Sequence, residues 1–123
     1  MDMNATNIDV KSVFMNHKSA LLFSAVKSGD HNLVHFLLDQ CRADPNTCEI
    51  NNLTPLFEAS KNGHIEVVRL LIKYGANLNK ESKTEVDDEY YLLSENGESS
   101  VCWVTPLHIA IIWKQLETAK ILI

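Results

Sequence analysis

Apolar residues recur along this chain with the spacing of helices that bury one face. A pattern close to i, i+1, i+4, i+5, with polar residues between, occurs three times and predicts three amphipathic helices. Its members are Leu33, Val34, Leu37 and Leu38, then Val67, Val68, Leu71 and Ile72, and finally Leu116, Ala119, Leu122 and Ile123. Each stripe needs an apolar surface to cover it, so the helices are expected to pack against neighbouring elements.

A second apolar block precedes each stripe and ends in an alanine. The blocks occupy residues 20–25, 54–59 and 105–110, and each is followed by a turn position, held by Gly29, Gly63 and Lys114. The alanines are separated by 34 residues and then by 51. Because helix-pair solenoids repeat about every 33 residues, we interpret the first interval as one repeat with a single extra residue and the second as a repeat with an insertion of about 18.

The residues that bound the first helix of each pair fit this interpretation. Thr54 is suited to cap a helix with its hydroxyl, and Pro55 follows at the first helical position, where its missing N–H costs nothing. Gly63 is suited to the left-handed turn that lets the second helix double back. A single helix pair cannot bury its own apolar face, so neighbouring pairs must stack.

Together these residues closely resemble the ankyrin-repeat consensus. The second repeat carries Thr54-Pro55-Leu56, Ala59, Gly63-His64, Glu66-Val67-Val68, Leu70-Leu71 and Gly75-Ala76-Asn77, and the third carries the complete signature Thr105-Pro106-Leu107-His108-x-Ala110. The resemblance covers residues 19–123 and implies an all-α solenoid of stacked helix-turn-helix pairs with β-turn or hairpin fingers. It divides the chain into repeats at 19–51, 52–79 and 104–123, after a polar segment at 1–18 for which disorder is one interpretation.

Several positions depart from the family or add to it. The first repeat lacks the Thr-Pro pair, as expected of an atypical N-terminal capping repeat. Lys114 replaces the turn glycine of the third repeat, which predicts a looser helix pair there. The family positions of His64 and His108 imply a scaffold role, in which the ring hydrogen-bonds to backbone in the turns. We interpret Trp113 as covering the next repeat, and exposure on the concave side for a ligand is the alternative.

The insertion lies within residues 80–103, where the family places its finger-like β-turn. It contains two lysines against seven Asp and Glu residues, a net charge of −5 that equals the net charge of the whole chain. Two β-prone stretches at 90–93 and 101–104 flank Asn96-Gly97, which is a strong hairpin signal. We therefore predict a lengthened hairpin finger preceded by a mobile acidic arm at 80–89, and a disordered loop is the alternative.

This finger is the predicted site of partner contact, because insertions in repeat arrays map to one face, often the binding face. The candidate protein-binding residues are Tyr90, Tyr91, Leu92, Leu93, Trp103, Asp87, Asp88 and Glu89. Aromatic anchors commonly supply interface energy, and the acidic arm favours a partner with a basic surface. The acidic context also suits phosphorylation of the two tyrosines, although a packing role in the hairpin is the stronger interpretation.

Composition and motif content narrow the class of function. The net charge of −5 argues against binding to nucleic acid or to an anionic membrane surface. The chain has no Gly-rich phosphate loop, and Cys41 and Cys48 with His31 and His35 match no common zinc spacing. We therefore expect no enzyme activity, cofactor, metal or small-molecule substrate. An odd number of cysteines and no visible signal peptide indicate the cytoplasm, with the nucleus as an alternative.

These observations favour a protein–protein interaction module, a scaffold or adaptor that binds through a concave face and an extended finger. The alternative is the substrate-targeting or regulatory N-terminal region of a larger enzyme or channel, such as a ubiquitin-ligase receptor. Ile123 falls within an apolar helical stripe, and no polar cap follows it. We therefore expect the sequence to be the N-terminal portion of a longer protein, with a truncated gene product as the alternative, and the isolated chain to fray or aggregate at this end.

Overall fold

Three helix pairs and one two-stranded sheet make up the described part of the chain. The computed structural model describes residues 17–85 and 101–123. The elements are α1 (Lys18–Ser28), α2 (His31–Asp39), the 3-10 turn η1 (Ile50–Asn52), α3 (Pro55–Asn62), α4 (Ile65–Lys73), β1 (Ser82–Glu85), β2 (Val101–Val104), α5 (Pro106–Ile112) and α6 (Leu116–Leu122). The first helices of the pairs contact one another in the order α1, α3, α5, and the second helices in the order α2, α4, α6. The predicted all-α solenoid with a hairpin finger is confirmed.

The first helices of the second and third repeats begin where the Thr-Pro pairs predict. The backbone N–H of Phe57 donates to Thr54 Oγ1 at 3.1 Å, and Pro55 occupies the first helical position. In the third repeat the N–H of His108 donates to Thr105 Oγ1 at 3.3 Å, while the N–H of Thr105 donates to His108 Nδ1 at 3.2 Å. This reciprocal capping box satisfies two backbone donors and confirms the scaffold role of His108.

Each helix pair reverses direction through a residue in the left-handed conformation. Gly29 has φ 75° and Gly63 has φ 70°, and Lys114 adopts φ 59° at the equivalent place. The turn hydrogen bond is also retained, because the N–H of Gln115 donates to the carbonyl of Ala110 at 2.7 Å. The looser pair predicted at Lys114 is therefore not seen in the backbone, although a side chain in this conformation costs about 1–2 kcal/mol.

The core consists of two apolar clusters. The larger one is formed by buried side chains of the first two helix pairs, including Leu22, Val34, Leu56 and Val68. The smaller one comprises Phe57, Val104 and Ile109, together with the half-buried Leu53 and Ile112. It joins α3, β2 and α5, so the strand that precedes the third repeat is packed onto the helix stack.

Polar side chains bridge consecutive repeats at their turns. His64 Nε2 donates to the carbonyl of Lys27 at 3.1 Å, so this nitrogen carries the proton. Gln115 Nε2 donates in the same way to the carbonyl of Lys61 at 3.2 Å. The predicted scaffold role of His64 is therefore confirmed.

The loops that follow the second helices are also joined to each other. Asn46 donates from Nδ2 to the carbonyl of Gly75 at 3.1 Å and accepts from the N–H of Asn77 at 2.6 Å. The Tyr74 hydroxyl donates to Asp39 Oδ1 at 3.3 Å. These contacts fix the first two repeats relative to each other on the side of the second helices.

Candidate protein-binding site

The base of the finger is an antiparallel pair of strands with a defined register. Ser82 lies opposite Val104, Lys83 opposite Trp103, Thr84 opposite Cys102 and Glu85 opposite Val101. The strand predicted at 101–104 is confirmed. The prediction of a mobile arm at residues 80–89 is wrong for residues 82–85, because these residues form the strand that pairs with β2. Its sequence, Ser-Lys-Thr-Glu, has little β-propensity, so pairing with β2 determines its conformation.

One face of this strand pair is fixed to the helix stack. Ser82 is fully buried, and its hydroxyl donates to the carbonyl of Asn52 in η1 at 2.8 Å. Its cross-strand neighbour Val104 is 7% exposed and packs with Phe57 and Ile109. Side chains alternate between the two faces of a strand, so the next pair along faces the other way.

That next pair, Lys83 and Trp103, is the accessible part of the finger. Trp103 is 54% exposed, and Lys83 is also exposed. Directly opposite residues share a face of the sheet, with Cβ atoms about 4.5–5.5 Å apart. The pair therefore presents a broad apolar ring, an indole N–H donor and a cation next to the buried pair of Ser82 and Val104.

The structure locates only one of the predicted contact residues. Trp103 lies on β2, as described above. The other seven predicted residues, Asp87, Asp88, Glu89, Tyr90, Tyr91, Leu92 and Leu93, lie outside the described residues. Their contribution to binding stays a prediction. Sequence reasoning missed Lys83, because only the register of β1 against β2 places it opposite Trp103.

A second exposed aromatic side chain lies on the layer of first helices. Trp113 is the C-cap residue that follows α5 and is 52% exposed, and the Nζ atom of Lys61 in α3 lies 4.9 Å from the centroid of the Trp113 ring. This distance permits a cation–π contact, of about 0.5–1 kcal/mol at an exposed site. Trp113 thus contacts the preceding repeat, whereas the sequence analysis expected it to cover the next one, and about half of its surface is exposed to solvent.

The Tyr74 phenol lies beside a carboxylate and has a raised pKa. Burial raises the pKa of the Tyr74 phenol, and the nearby Asp39 carboxylate raises the pKa of Tyr74 further. This tyrosine links the ends of α2 and α4. Across residues 17–85 and 101–123 there is no group of three or more His, Cys, Asp or Glu side chains placed to hold a metal ion. No helix among these same residues has the length and apolar character required to span a membrane.

Comparison with known proteins gives the family of this chain. The profile of the family described as ankyrin repeats (3 copies) matches residues 4–82 and 22–123. The match begins upstream of residue 19, where the sequence analysis placed the first repeat.

Curated relatives are ankyrin-repeat proteins of much greater length. Alpha-latrocrustotoxin-Lt1a of Latrodectus tredecimguttatus is 34% identical over 70% of this chain and 6% of its own length. The 26S proteasome non-ATPase regulatory subunit 10 of Dictyostelium discoideum is 34% identical over 50% of this chain and 26% of its own. The fem-1 homolog CG6966 of Drosophila melanogaster is 28% identical over 66% of this chain and 14% of its own. The matched region is therefore a minor part of each of these relatives.

The fold and the sequence profile agree. The described residues form stacked helix pairs with Thr-Pro caps, left-handed turns and a hairpin finger. Ankyrin repeats are protein–protein interaction modules. The chain belongs to the ankyrin-repeat family.

Proposed function

We propose that this chain is a scaffold or adaptor module that recognises a protein partner through its finger and the neighbouring layer of first helices. The observation that carries the proposal is the exposure of Trp103 next to Val104, which is buried together with its cross-strand neighbour Ser82. Exposed apolar residues are common on protein surfaces, but tryptophan is enriched among the residues that dominate interface energies. We assign the module to the cytoplasm or nucleus, where the free thiol of Cys41 is stable.

The rigidity of the finger base supports the choice of Trp103 as an anchor. Binding through a mobile segment loses affinity to the ordering of that segment. At the finger base Ser82 and Val104 already fix both strands to η1 and to the smaller apolar cluster. A partner that covers Trp103 therefore has little backbone left to order at this point.

Charge favours a partner with a basic surface. Residues 80–103 carry a net charge of −5, which equals the net charge of the whole chain. Such a concentration of charge accelerates encounter with a basic protein and is screened by salt. Asp87, Asp88 and Glu89 are the proposed source of this attraction, and Tyr90, Tyr91, Leu92 and Leu93 are proposed as further apolar contacts.

The layer of first helices provides a second proposed contact area. Trp113 and Ile111 are 52% and 59% exposed, and Lys61 lies beside the Trp113 ring. The contact between α3 and α5 brings these residues from two repeats to one layer. A partner that spans the finger and this layer buries more area than the finger alone provides.

The test compares the intact chain with a variant that shortens the finger and keeps its base. Since Glu85 is paired with Val101, residues 86–100 are replaced by Asn-Gly, the two residues preferred in a tight hairpin turn. The second variant is Trp103→Ala, and a third, Trp113→Ala, tests the contribution of the helix layer. Partners are identified by affinity capture and their dissociation constants are then measured by calorimetry, after circular dichroism has confirmed the helical content of each variant.

We expect Trp103→Ala to weaken the strongest specific interaction at least about 30-fold, corresponding to 2 kcal/mol for an interface anchor. The shortened finger is expected to remove the dependence of affinity on salt. If both finger variants bind as the intact chain does, while Trp113→Ala does not, recognition belongs to the helix layer alone. If all three leave binding unchanged, the proposed site is wrong.

The second candidate function is a substrate-targeting or regulatory region of a larger enzyme or channel. Its support is that the relatives extend far beyond the matched region, which makes up only 6–26% of the three described above. In that case the same binding surface directs the activity of another domain. The coding sequence on both sides of these 123 residues distinguishes the two candidates, because a catalytic or pore-forming domain is required by the second one alone.

A further inference from the structure

The loop before the second repeat ends in a turn with a strained backbone. Asn51 and Asn52 both have positive φ, 64° and 58°, and the N–H of Leu53 donates to the carbonyl of Ile50 at 3.3 Å. Two consecutive positive φ values are typical of a type I′ turn, which favours glycine at its second central position. Asn52 occupies that position here, so the turn retains strain that a glycine would relieve. Such strain is common in segments that hold ligands.

The side chains of this asparagine turn (residues 50–53) are open to solvent at three consecutive positions. Ile50 is 80% exposed, and Asn51 and Asn52 are exposed as well. Neither carboxamide makes a hydrogen bond to another described residue. A single exposed isoleucine needs no explanation. Ile50, however, adjoins two amide groups that each have donors and an acceptor to offer to another molecule.

Contacts with the finger base hold the asparagine turn in place. The carbonyl of Asn52 accepts the hydrogen bond from Ser82 Oγ at 2.8 Å, and Leu53 packs against the apolar cluster that contains Val104. Because Ser82 and Val104 lie opposite each other on β1 and β2, the turn is attached to both strands that carry the finger. A partner bound at Trp103 therefore meets an ordered turn, and little affinity is lost to ordering it.

The exposed groups of the turn match the chemistry of an extended basic peptide. A carboxamide carries N–H donors and a carbonyl acceptor, which complement the C=O and N–H groups of a peptide bond. An extended segment has these backbone groups free, whereas a helix uses them internally. Glu49 is exposed beside Ile50, and Glu81 is exposed beside Ser82. Neither carboxylate forms an ion pair with a described residue, so both are open to lysine or arginine.

We propose that the asparagine turn is a peptide-recognition site for an extended basic segment of the partner. Ile50 contacts an apolar side chain of that segment, Asn51 and Asn52 bond to its backbone, and Glu49 binds a lysine or arginine. The assignment rests on the proposed function, because the segment belongs to the partner that covers Trp103. It also gives the strain at Asn52 a role, since glycine would keep the turn and lose the carboxamide.

The experiment selects peptides from a phage-displayed library of short random sequences, with the full chain as the target. The dissociation constants of the selected peptides are then measured by fluorescence anisotropy. We expect the peptides to be rich in lysine, arginine and apolar residues, and Ile50→Asp to weaken their binding at least about tenfold. Glu49→Lys is expected to weaken binding too, whereas the matched control Glu66→Lys, which reverses an exposed glutamate on α4, is not.

Asn52→Gly separates recognition from stability. Glycine keeps the positive φ and the carbonyl that accepts from Ser82, and it removes only the carboxamide. This variant is therefore expected to unfold at higher urea than the intact chain and to bind the peptides roughly fivefold more weakly, as for one hydrogen bond. A turn with a purely structural role would show the gain in stability without the loss of affinity.

Trp103→Ala distinguishes a failure of the turn site from a failure of the proposed function. Peptides that are weakened by Trp103→Ala and bind Ile50→Asp and Glu49→Lys as tightly as the intact chain overturn the turn site and leave the proposed function in place. A selection that yields only acidic peptides, or no peptide, also overturns the turn site. Circular dichroism of each variant confirms its helical content, which these exposed substitutions are expected to leave unchanged.

Discussion

His64 and Gln115 occupy equivalent places in consecutive repeats, and each bridges to the turn before it. The role of His64 was predictable from its place beside Gly63 in the family consensus. The role of Gln115 was not, because it differs in chemistry from histidine and follows Lys114 rather than a glycine. The amide nitrogen of glutamine and the Nε2–H of histidine donate the same hydrogen bond across the junction. At the scale of single residues, both repeats have a side-chain N–H donor at this place, although the residue type differs.

A turn can require glycine because of a positive φ or because another side chain approaches closely, and Gly29 and Gly75 differ in the second respect. Both have positive φ, but a Cβ on Gly29 meets the His64 ring and a Cβ on Gly75 meets nothing within 4 Å. We expect Gly75→Ala to cost about 1–2 kcal/mol of unfolding free energy through backbone strain. Gly29→Ala should cost about 1 kcal/mol more, because His64 must move and lose its bond to the carbonyl of Lys27. Urea unfolding measures both values.

A histidine variant provides the control for this comparison. In a His64→Ala background the ring is absent, so Gly29→Ala and Gly75→Ala should then cost the same. Equal costs in the wild-type background would show that the contact between Gly29 and His64 contributes no stability.

Among the elements, the helices were predicted from the sequence with more success than the finger. Helix α3 is bounded by Thr54-Pro55 and Gly63, whose capping and turn preferences act locally and are therefore readable in the sequence. Strand β1 has no such local signal, since Ser82–Glu85 is polar and forms a strand through pairing with a segment distant in sequence. The β-prone residues 101–104 correctly indicated β2, but the partner predicted for this strand was 90–93, whereas the structure pairs it with β1.

The buried hydroxyl of Ser82 is predicted to hold the finger base in place. Ser82→Ala leaves the carbonyl of Asn52 without this donor, which should cost about 1–2 kcal/mol and speed amide exchange in β1 and β2. Ser60 supplies the matched control, because its buried hydroxyl has no hydrogen-bond partner among the described residues. Ser60→Ala should be neutral or slightly stabilising. Equal losses for the two variants would mean that the hydroxyl of Ser82 contributes nothing specific.

For the molecule as a whole, stability is expected to depend on the junctions between neighbouring repeats. Among the described residues the second helix pair contacts both the first and the third, as in other linear arrays. Weakening one junction should therefore allow the repeats on its two sides to unfold separately. Both tryptophans of the chain, Trp103 and Trp113, lie in the third repeat or the strand that precedes it. Their fluorescence reports on one end of the array, whereas far-ultraviolet circular dichroism reports on all helices.

The urea midpoints measured by fluorescence and by circular dichroism should differ when one junction is weakened, and the sign of the difference should depend on which junction it is. Gln115→Ala removes the bond to the carbonyl of Lys61, worth about 1 kcal/mol, and loosens the third repeat from the second. The fluorescence midpoint in urea is then expected below the circular dichroism midpoint. His64→Ala loosens the first repeat, which contains no tryptophan, so fluorescence should change at higher urea than circular dichroism. If the two probes coincide in both variants, unfolding is cooperative across the junctions, and coupling between the repeats exceeds what one hydrogen bond contributes.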